Sequence, residues 1–271
     1  EQATLFVLDW AEPGAASPRS DLAIDVPEAV TAARFDGRRV YVVTALAVDP
    51  LWVIDVSDPA APFLAGHLEM EGQLDYVEPR GDRLLALGHT PEGGGVFQLQ
   101  VSLLDVSDPA RPLLLARRWF GPDWGFVPAG PDDLRKAFQV LDGRGLVLVP
   151  FQGFDRGTWA WTGGTQLLTF SPDGLDLGGF VPHAGAVKRA FALDPPGLLA
   201  AWSDERLQTI DATDPSSPVE LAAIDLARPV WDIAVVGAAA AELSGDPWRG
   251  ASELVVVPAA DPDAAVPTAR V

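Results

Sequence analysis

A twelve-residue phrase recurs along the chain, and its spacing constrains the fold more than any other feature. Residues 51–62 read LWVIDVSDPAAP, residues 101–112 read VSLLDVSDPARP and residues 207–218 read LQTIDATDPSSP. Asp55 and Asp105 stand 50 positions apart, and Asp105 and Asp211 stand 106 apart, about twice that period. Self-similarity at this period marks a solenoid, a propeller or an array, in which one supersecondary unit cannot bury its own apolar face and stacks on its neighbours. The segments between the phrases are rich in Val, Ile, Leu, Phe and Trp, and turn residues interrupt them every 8–12 positions. No 3.6-residue periodicity stands out. The pattern therefore predicts an all-β chain with almost no helix: a β-propeller of four-stranded antiparallel blades.

The period parses into strands. One repeat divides into Gln73–Pro79, Arg83–His89, Gln98–Asp105 and Pro112–Phe120, and the one before it into Val30–Phe35, Arg39–Ala45, Leu51–Asp55 and Pro62–Met70. A degenerate repeat follows at Leu134–Leu141, Gly145–Phe151, Gln166–Phe170 and Leu175–Pro182, with SPDG at Ser171–Gly174 in place of the phrase. Val187–Leu193, Leu198–Ser203, Leu207–Asp211 and Val219–Leu226 make the next. Near-continuous apolar runs such as LLALG and GLVLVPF fit sheets covered on both faces. The start, TLFVLDW and DLAIDVP, reads as two outer strands, and the end, VWDIAVVG to ELVVVPAADP, as most of a further blade. About five blade-equivalents are thus expected, within residues 1–271 as a single domain. They read as an excerpt of a six- or seven-bladed ring, or else as a five-bladed ring in which the C-terminal strands pair with the N-terminal two and residues 239–252 are an insertion.

Composition narrows the function classes. The 271 residues are 48% hydrophobic, ample for a buried core. No apolar run approaches the 20 or so residues a spanning helix needs, so the chain is not expected to span a membrane. The net charge of −19 disfavours nucleic acid and suits divalent cations or basic partners, or else is plain solvated acidic surface. With no cysteine there are no disulfides, thiolate metal sites or cysteine nucleophiles. His67, His89 and His183 lack ligand spacing, so no metal and no cofactor is expected. The chain opens on Glu1 without a signal-peptide pattern, and its natural start is expected to lie upstream.

The phrases LWVIDVSDPAAPFLAGHLEM and VSLLDVSDPARPLLLARR resemble the LVIVD-repeat proteins. They are also similar to a family of bacterial and archaeal secreted proteins whose C-terminal β-propeller is distantly related to WD-repeat domains. There a strand ending in DVSDPAxP precedes the strand entering the next blade. A later blade opens with a basic-aromatic phrase like RKAF at Arg135–Phe138, then an apolar strand like GLVLVPF. The resemblance covers most of residues 4–262. It implies a secreted, periplasmic or cell-surface location and supplies no catalytic residues.

Three constellations could carry function. In the Asp-x-Ser-Asp-Pro phrase, Asp and Ser bond nearby amides and Pro presets φ, which makes a structural turn. The alternative is a cation site from Asp55, Asp58, Asp105, Asp108, Asp211 and Asp214, but each turn offers only two carboxylates and calcium loops need more. Asp75, Glu78 and Asp232 fall on expected inner strands. Some five-bladed propellers are glycosidases with acids there, yet these three form no recognisable pair across a cleft. No nucleophile elbow, zinc motif or phosphate loop occurs.

The third constellation is aromatic and basic. Two long loops of adjacent blades, residues 118–133 and 151–164, are expected to meet on one face. The first carries Trp119, Phe120, Trp124 and Phe126; the second carries Phe151, Phe154, Trp159 and Trp161. Below them, inner strands open with the doublets Arg135–Lys136 and Lys188–Arg189. The structural alternative has the rings covering the sheet top and the cations neutralising Asp132 and Asp133. The sequence thus points to a non-catalytic, surface-exposed module that binds a protein partner through Trp119, Phe120, Trp124, Phe126, Trp159 and Trp161, rimmed by Arg135, Lys136, Lys188 and Arg189. Carbohydrate binding through the tryptophans, or a hydrolase using inner-strand acids, are the alternatives.

Overall fold

The computed structural model describes residues 3–10, 12, 14–24, 29–44, 48–92, 96–130, 133–227, 229–246, 251–262 and 269–270. The chain opens with a hairpin of β1 (Ala3–Trp10) and β2 (Ala16–Ile24). Blade 1 is β3 (Val30–Asp36), β4 (Arg39–Thr44), β5 (Val48–Asp55) and β6 (Phe63–Glu71). Blade 2 is β7 (Gln73–Arg80), β8 (Arg83–Glu92), β9 (Val96–Asp105) and β10 (Leu113–Phe120). A three-residue strand, β11 (Trp124–Phe126), and a four-residue helix, α1 (Leu134–Ala137), lead into blade 3: β12 (Gln139–Leu141), β13 (Leu146–Asp155), β14 (Ala160–Ser171) and β15 (Gly174–Pro182). Blade 4 is β16 (Arg189–Ala192), β17 (Leu198–Trp202), β18 (Arg206–Asp211) and β19 (Val219–Asp225). Blade 5 is β20 (Val230–Val236), β21 (Ala239–Asp246), β22 (Ala251–Pro258) and β23 (Ala269–Arg270). Within each blade, successive strands pair antiparallel.

Alternation along the strands explains the stacking. Successive side chains of a strand point to opposite faces, so each blade supplies two half-cores. In β8, Leu84 and Ala86 join Tyr41, Val43, Leu51 and Val53 of blade 1. Leu85 and Leu87, one position along, join Val147, Val149 and Phe151 of blade 3. In β13, Leu146 and Leu148 face the other way, onto Ala190, Leu199, Ala201 and Ile210 of blade 4. The N-terminal hairpin covers the free face of blade 1, where Leu5 and Leu22 pack on Val40, Val42 and Ile54. This face-to-face succession of four-stranded sheets is the packing of propeller blades.

Several expectations need correction. The segment Leu134–Leu141 is not one strand: its first half is α1, whose Leu134 carbonyl accepts the Phe138 amide, and only Gln139–Leu141 pairs with β13. The expected loop at residues 151–164 is largely strand, because β13 and β14 extend into a paired hairpin from Leu146 to Thr169, whereas residues 118–133 contribute only the end of β10 and the short β11. β11 then fills the gap between β9 and β13 and joins blades 2 and 3 into one nine-stranded sheet. The five-bladed ring with an insertion is not formed: residues 239–246 are the second strand of blade 5, and β23 supplies its fourth. The apolar residues of β20, Val230, Trp231, Ile233, Val235 and Val236, are exposed. The expected strand end at Ala45, part of the DLAIDVP phrase and Asp132 lie outside the described residues.

Candidate functional site

The two ends of the blades have different chemistry. At one end the recurring phrase forms turns at equivalent positions. Asp55 pairs in register with Arg39, Asp105 with Arg83 and Asp211 with Leu198, each opposite the start of its blade's second strand. Their Oδ1 atoms accept the amides of Ser57, Ser107 and Thr213 at 2.7, 2.8 and 2.8 Å. The second aspartates, Asp58, Asp108 and Asp214, accept the amides of Ala60, Ala110 and Ser216 at 2.9, 3.0 and 2.9 Å. The Ser57 and Ser107 hydroxyls, then their amides, hold the carboxyl groups of Asp55 and Asp105 below the usual carboxylate range, and the Thr213 amide and hydroxyl do the same for Asp211. The turns therefore close on their own backbone.

The opposite end carries the candidate site, and a repeated irregularity builds it. Register shifts fall between Val30 and Ala32, between Leu74 and Tyr76, and between Val230 and Asp232. In each of these innermost strands the extra residue sits six positions before the glycine of the turn into the second strand, Gly37, Gly81 or Gly237. A bulge of this kind re-aims one side chain, and here it delivers Thr31, Asp75 and Trp231 to the mouth of the blades, where each lines a cavity.

Above them lies an aromatic row that crosses four strands. Phe97 of β9 is in register with Trp124 of β11, Trp124 with Phe154 of β13, and Phe154 with Trp161 of β14. Residues directly opposite in a sheet share a face. Phe97 and Trp124 meet edge to face at 6.1 Å, and Phe154 and Trp161 lie 5.8 Å apart. Phe126 meets Trp161 at 6.2 Å, nearly perpendicular, and Trp159 meets Phe154 at 5.8 Å. Both hairpin tryptophans thus pack on the same ring. Two glycines let β11 into its slot: a Cβ on Gly153 would lie 2.1 Å from the Trp124 carbonyl oxygen, and one on Gly125 would meet Leu99 at 3.2 Å.

Trp159 occupies the tip of the β13–β14 hairpin. Its φ is +54°, a left-handed conformation that a bulky side chain adopts at a cost of about 1–2 kcal/mol. Asp155 holds the tip by accepting the Thr158 amide at 2.7 Å and its hydroxyl at 2.9 Å. Trp159 stays 80% exposed.

Not every expected residue belongs here. Phe120 is 4% exposed and packs on Phe151 at 5.7 Å, so it is core, because its strand turns it inward between blades 2 and 3. Trp119, one position earlier and half-exposed, lies on β10 in register with Gln100. The cations divide. Lys136, Lys188 and Arg189 line one cavity of about 480 Å³ with Asp133 and Trp202, whereas Arg135 lines another beside Arg34, Asp75 and Tyr76. Lys136 Nζ is 2.6 Å from Asp133, and Lys188 Nζ is 2.5 Å from Asp204. These pairs neutralise the lysines at the mouth.

The inner-strand acids are engaged singly. Asp75 pairs with His89 Nδ1 at 2.7 Å, and His89 Nε2 lies 2.9 Å from the Gly125 carbonyl of β11. Both neighbours are acceptors, so imidazolium satisfies both nitrogens. Burial alone lowers the pKa of His89, but the Asp75 hydrogen bond and charge and the Gly125 carbonyl outweigh it and raise the value. Glu78 accepts from Tyr76 and binds Arg80 at 2.8 Å, and the Tyr76 phenol is pushed up to about 12 by burial and by that carboxylate. Asp232 caps the amide of Ile233 at 2.8 Å.

A concavity of the mouth is lined by residues of blades 3, 4 and 5. It measures about 510 Å³ and is walled by Phe126, Trp161 and Trp231, with Glu205, Gln152, Gly185 and Gly245 around them. Phe97, Trp231 and Glu205 escape a sequence reading: Phe97 lies outside both aromatic stretches, and Trp231 gains its place from a bulge. A tryptophan six residues before a turn glycine, matching Thr31 and Asp75, is the signal that marks it.

A family model described as a β-propeller domain matches residues 4–194. The chain belongs to this β-propeller family. Curated relatives of the propeller include an uncharacterized protein of Methanocaldococcus jannaschii, 36% identical over 86 residues, which are 31% of this chain and 13% of that protein. A second, from Archaeoglobus fulgidus, is 38% identical over 85 residues, again 31% of this chain and 13% of the relative. The match thus spans about an eighth of each relative's length. Among solved structures, the WD40 domain of SCAP from fission yeast is similar at a TM-score of 0.42 and 10% identity, covering 89% of this chain and 55% of that one.

Proposed function

We propose that this propeller is a non-catalytic recognition module that binds a protein partner through the mouth of its blades. The observation that carries the reading is the aromatic row Phe97–Trp124–Phe154–Trp161, extended by Trp159. Phe97, Trp124, Phe126 and Trp159 are exposed side by side. Tryptophan is among the side chains that most often dominate binding energy at protein interfaces, and a contiguous exposed cluster of aromatic rings on a sheet marks an interaction surface. The strained backbone of Trp159 adds support, since such strain clusters at functional positions. The resemblance of the DVSDP phrases to secreted propellers supports a location outside the cytoplasm for the module.

Trp124→Ala with Trp159→Ala tests it. Both side chains are exposed, so the double variant should keep the wild-type circular dichroism and melting temperature. It should also lose partner binding by about 2 kcal/mol or more. Partners recovered equally by both proteins would place the interface elsewhere.

A flat row of rings also suits the faces of sugar rings, which keeps a carbohydrate reading as the second one. Glycan-array binding that the double variant abolishes, with no protein partner, would favour it. Against a hydrolase stand the separate engagements of Asp75 with His89 and of Glu78 with Tyr76 and Arg80. Release of chromophore from aryl glycosides that Asp75→Asn removes would overturn the non-catalytic reading.

A further inference from the structure

The cavity between blades 3, 4 and 5 has a chemistry that the aromatic row alone does not explain. Phe126 and Trp161 stand at 79° to one another and form two walls at nearly a right angle. Trp231 lines the same cavity from blade 5, brought there by the bulge in β20, and its indole N–H donates to the Gly245 carbonyl, which fixes the ring. Glu205 supplies the carboxylate. It sits against Gly185, whose φ of +80° calls for glycine and where a Cβ would lie 2.9 Å from Glu205 Oε2 and push on that carboxylate. The described residues lining the cavity include no Lys, Arg or His. The lysines of the mouth line a different cavity and are paired with Asp133 and Asp204.

Ring faces carry negative quadrupole potential and attract a cation placed over them, most strongly when it is partly desolvated. A carboxylate beside them adds charge complementarity, and a net charge of −19 draws cationic ligands toward the molecule. A sugar would ask for several fixed polar side chains, and the described lining offers two, Gln152 and Glu205. We propose that this cavity receives the alkylammonium head of a lysine side chain, methylated or not, presented by a basic segment of the partner. The volume of about 510 Å³ exceeds the need of a small ion and accommodates the side chain with its flanking backbone. This inference rests on the protein-binding reading and names the chemistry recognised.

The test uses the full chain with defined probes: Nα-acetyl-lysine methylamide, its Nε-trimethyl form and its neutral Nε-acetyl form. Binding is followed by the indole N–H resonances. Both cationic probes should move the Trp231 and Trp161 signals and bind at least about tenfold tighter than the neutral one. Glu205→Gln, which keeps the shape, should erase that preference. Trp231→Ala removes a half-exposed ring, is expected to fold and should weaken both cationic probes by about tenfold. Equal binding of the acetylated probe, or no response to either cation up to millimolar concentrations, overturns the assignment. Tetramethylammonium binding more tightly than the lysine probes overturns the lysine source in favour of a soluble quaternary amine. Failure of the wider reading looks different: there the lysine probes bind, yet Trp124→Ala with Trp159→Ala changes no protein association.

Discussion

Replacing Gly153 by alanine should dislodge β11 without altering any aromatic side chain. The ideal Cβ would lie 2.1 Å from the Trp124 carbonyl oxygen, 2.5 Å from Pro122 Cγ and 2.9 Å from Gly125 Cα. Two of these atoms are backbone, so no rotamer change relieves the clash and the strand itself must shift. β11 is held by the pairing with β13, by the Phe97 amide to the Asp123 carbonyl at 2.7 Å, by Gln98 to the Gly121 carbonyl at 2.9 Å and by His89. Overpacking of this kind costs about 1–3 kcal/mol. In a chain of this size 2 kcal/mol lowers the melting temperature by about 4–8 °C. The local effect should be sharper. With fluorotryptophan incorporated, the ¹⁹F signals of Trp124 and Trp161 should move while that of Trp10 on the N-terminal hairpin stays. Gly130→Ala is the control, because its Cβ would meet nothing within 4 Å. If Gly153→Ala melts with the wild type and the Trp124 and Trp161 signals do not move, the glycine-gated seating of β11 is wrong.

Other outcomes follow from the same contacts. The folded-state pKa of His89 is raised, so its contribution to stability is full below about 6.5, the unfolded value, and is lost as pH rises through the higher folded value. Its imidazole should titrate above an ordinary histidine by NMR, and His89→Asn should lose stability mainly at acidic pH; a His89 titrating below 6.5 would refute this. Burial pushes His183 the other way, so the comparison must be made between wild type and variant rather than from the raw pH profile. Asp105→Ala should lower the melting temperature while Asp105→Asn, which can still accept the Ser107 amide, retains most of it; equal losses would mean that the ion pair with Arg83 outweighs the turn. EDTA and calcium should leave the melting midpoint unchanged, whereas a rise of several degrees with calcium would show that the turns bind it.

The repeat was legible because its turns are made of local chemistry. An Asp accepting the amide two residues on and a Pro fixing φ leave the same mark in blades 1, 2 and 4, so Asp55, Asp105 and Asp211 reveal the period before any tertiary contact is known. Apolar alternation likewise exposes the doubly covered strands, as Leu84 to Leu87 show. β11 was not legible. Its three residues WGF are a strand only because β9 and β13 leave a slot and Gly125 and Gly153 permit the approach. α1 reads as strand from its sequence because Leu134 and Phe138, four positions apart, share a face in a strand as they do on a helix, and both pack on the same core. The bulges are hidden for a related reason: one extra residue breaks the two-residue period just where Thr31, Asp75 and Trp231 turn into the mouth. Phe120 shows the converse limit, since an aromatic at a strand end reads alike whether it faces core or solvent.

The central claim is that recognition belongs to the mouth of the blades and not to the Asp-Pro turn end. Site-specific photo-crosslinking tests it most directly. A benzoylphenylalanine replaces Arg156, at the exposed hairpin tip beside Trp159, or Ala60, in the exposed turn of blade 1. Both variants are irradiated in an extract of the source cells. Adducts should form from position 156, disappear on addition of Trp124→Ala with Trp159→Ala, and be absent from position 60. Adducts from position 60 alone, or adducts from position 156 that survive removal of the two tryptophans, would contradict the account.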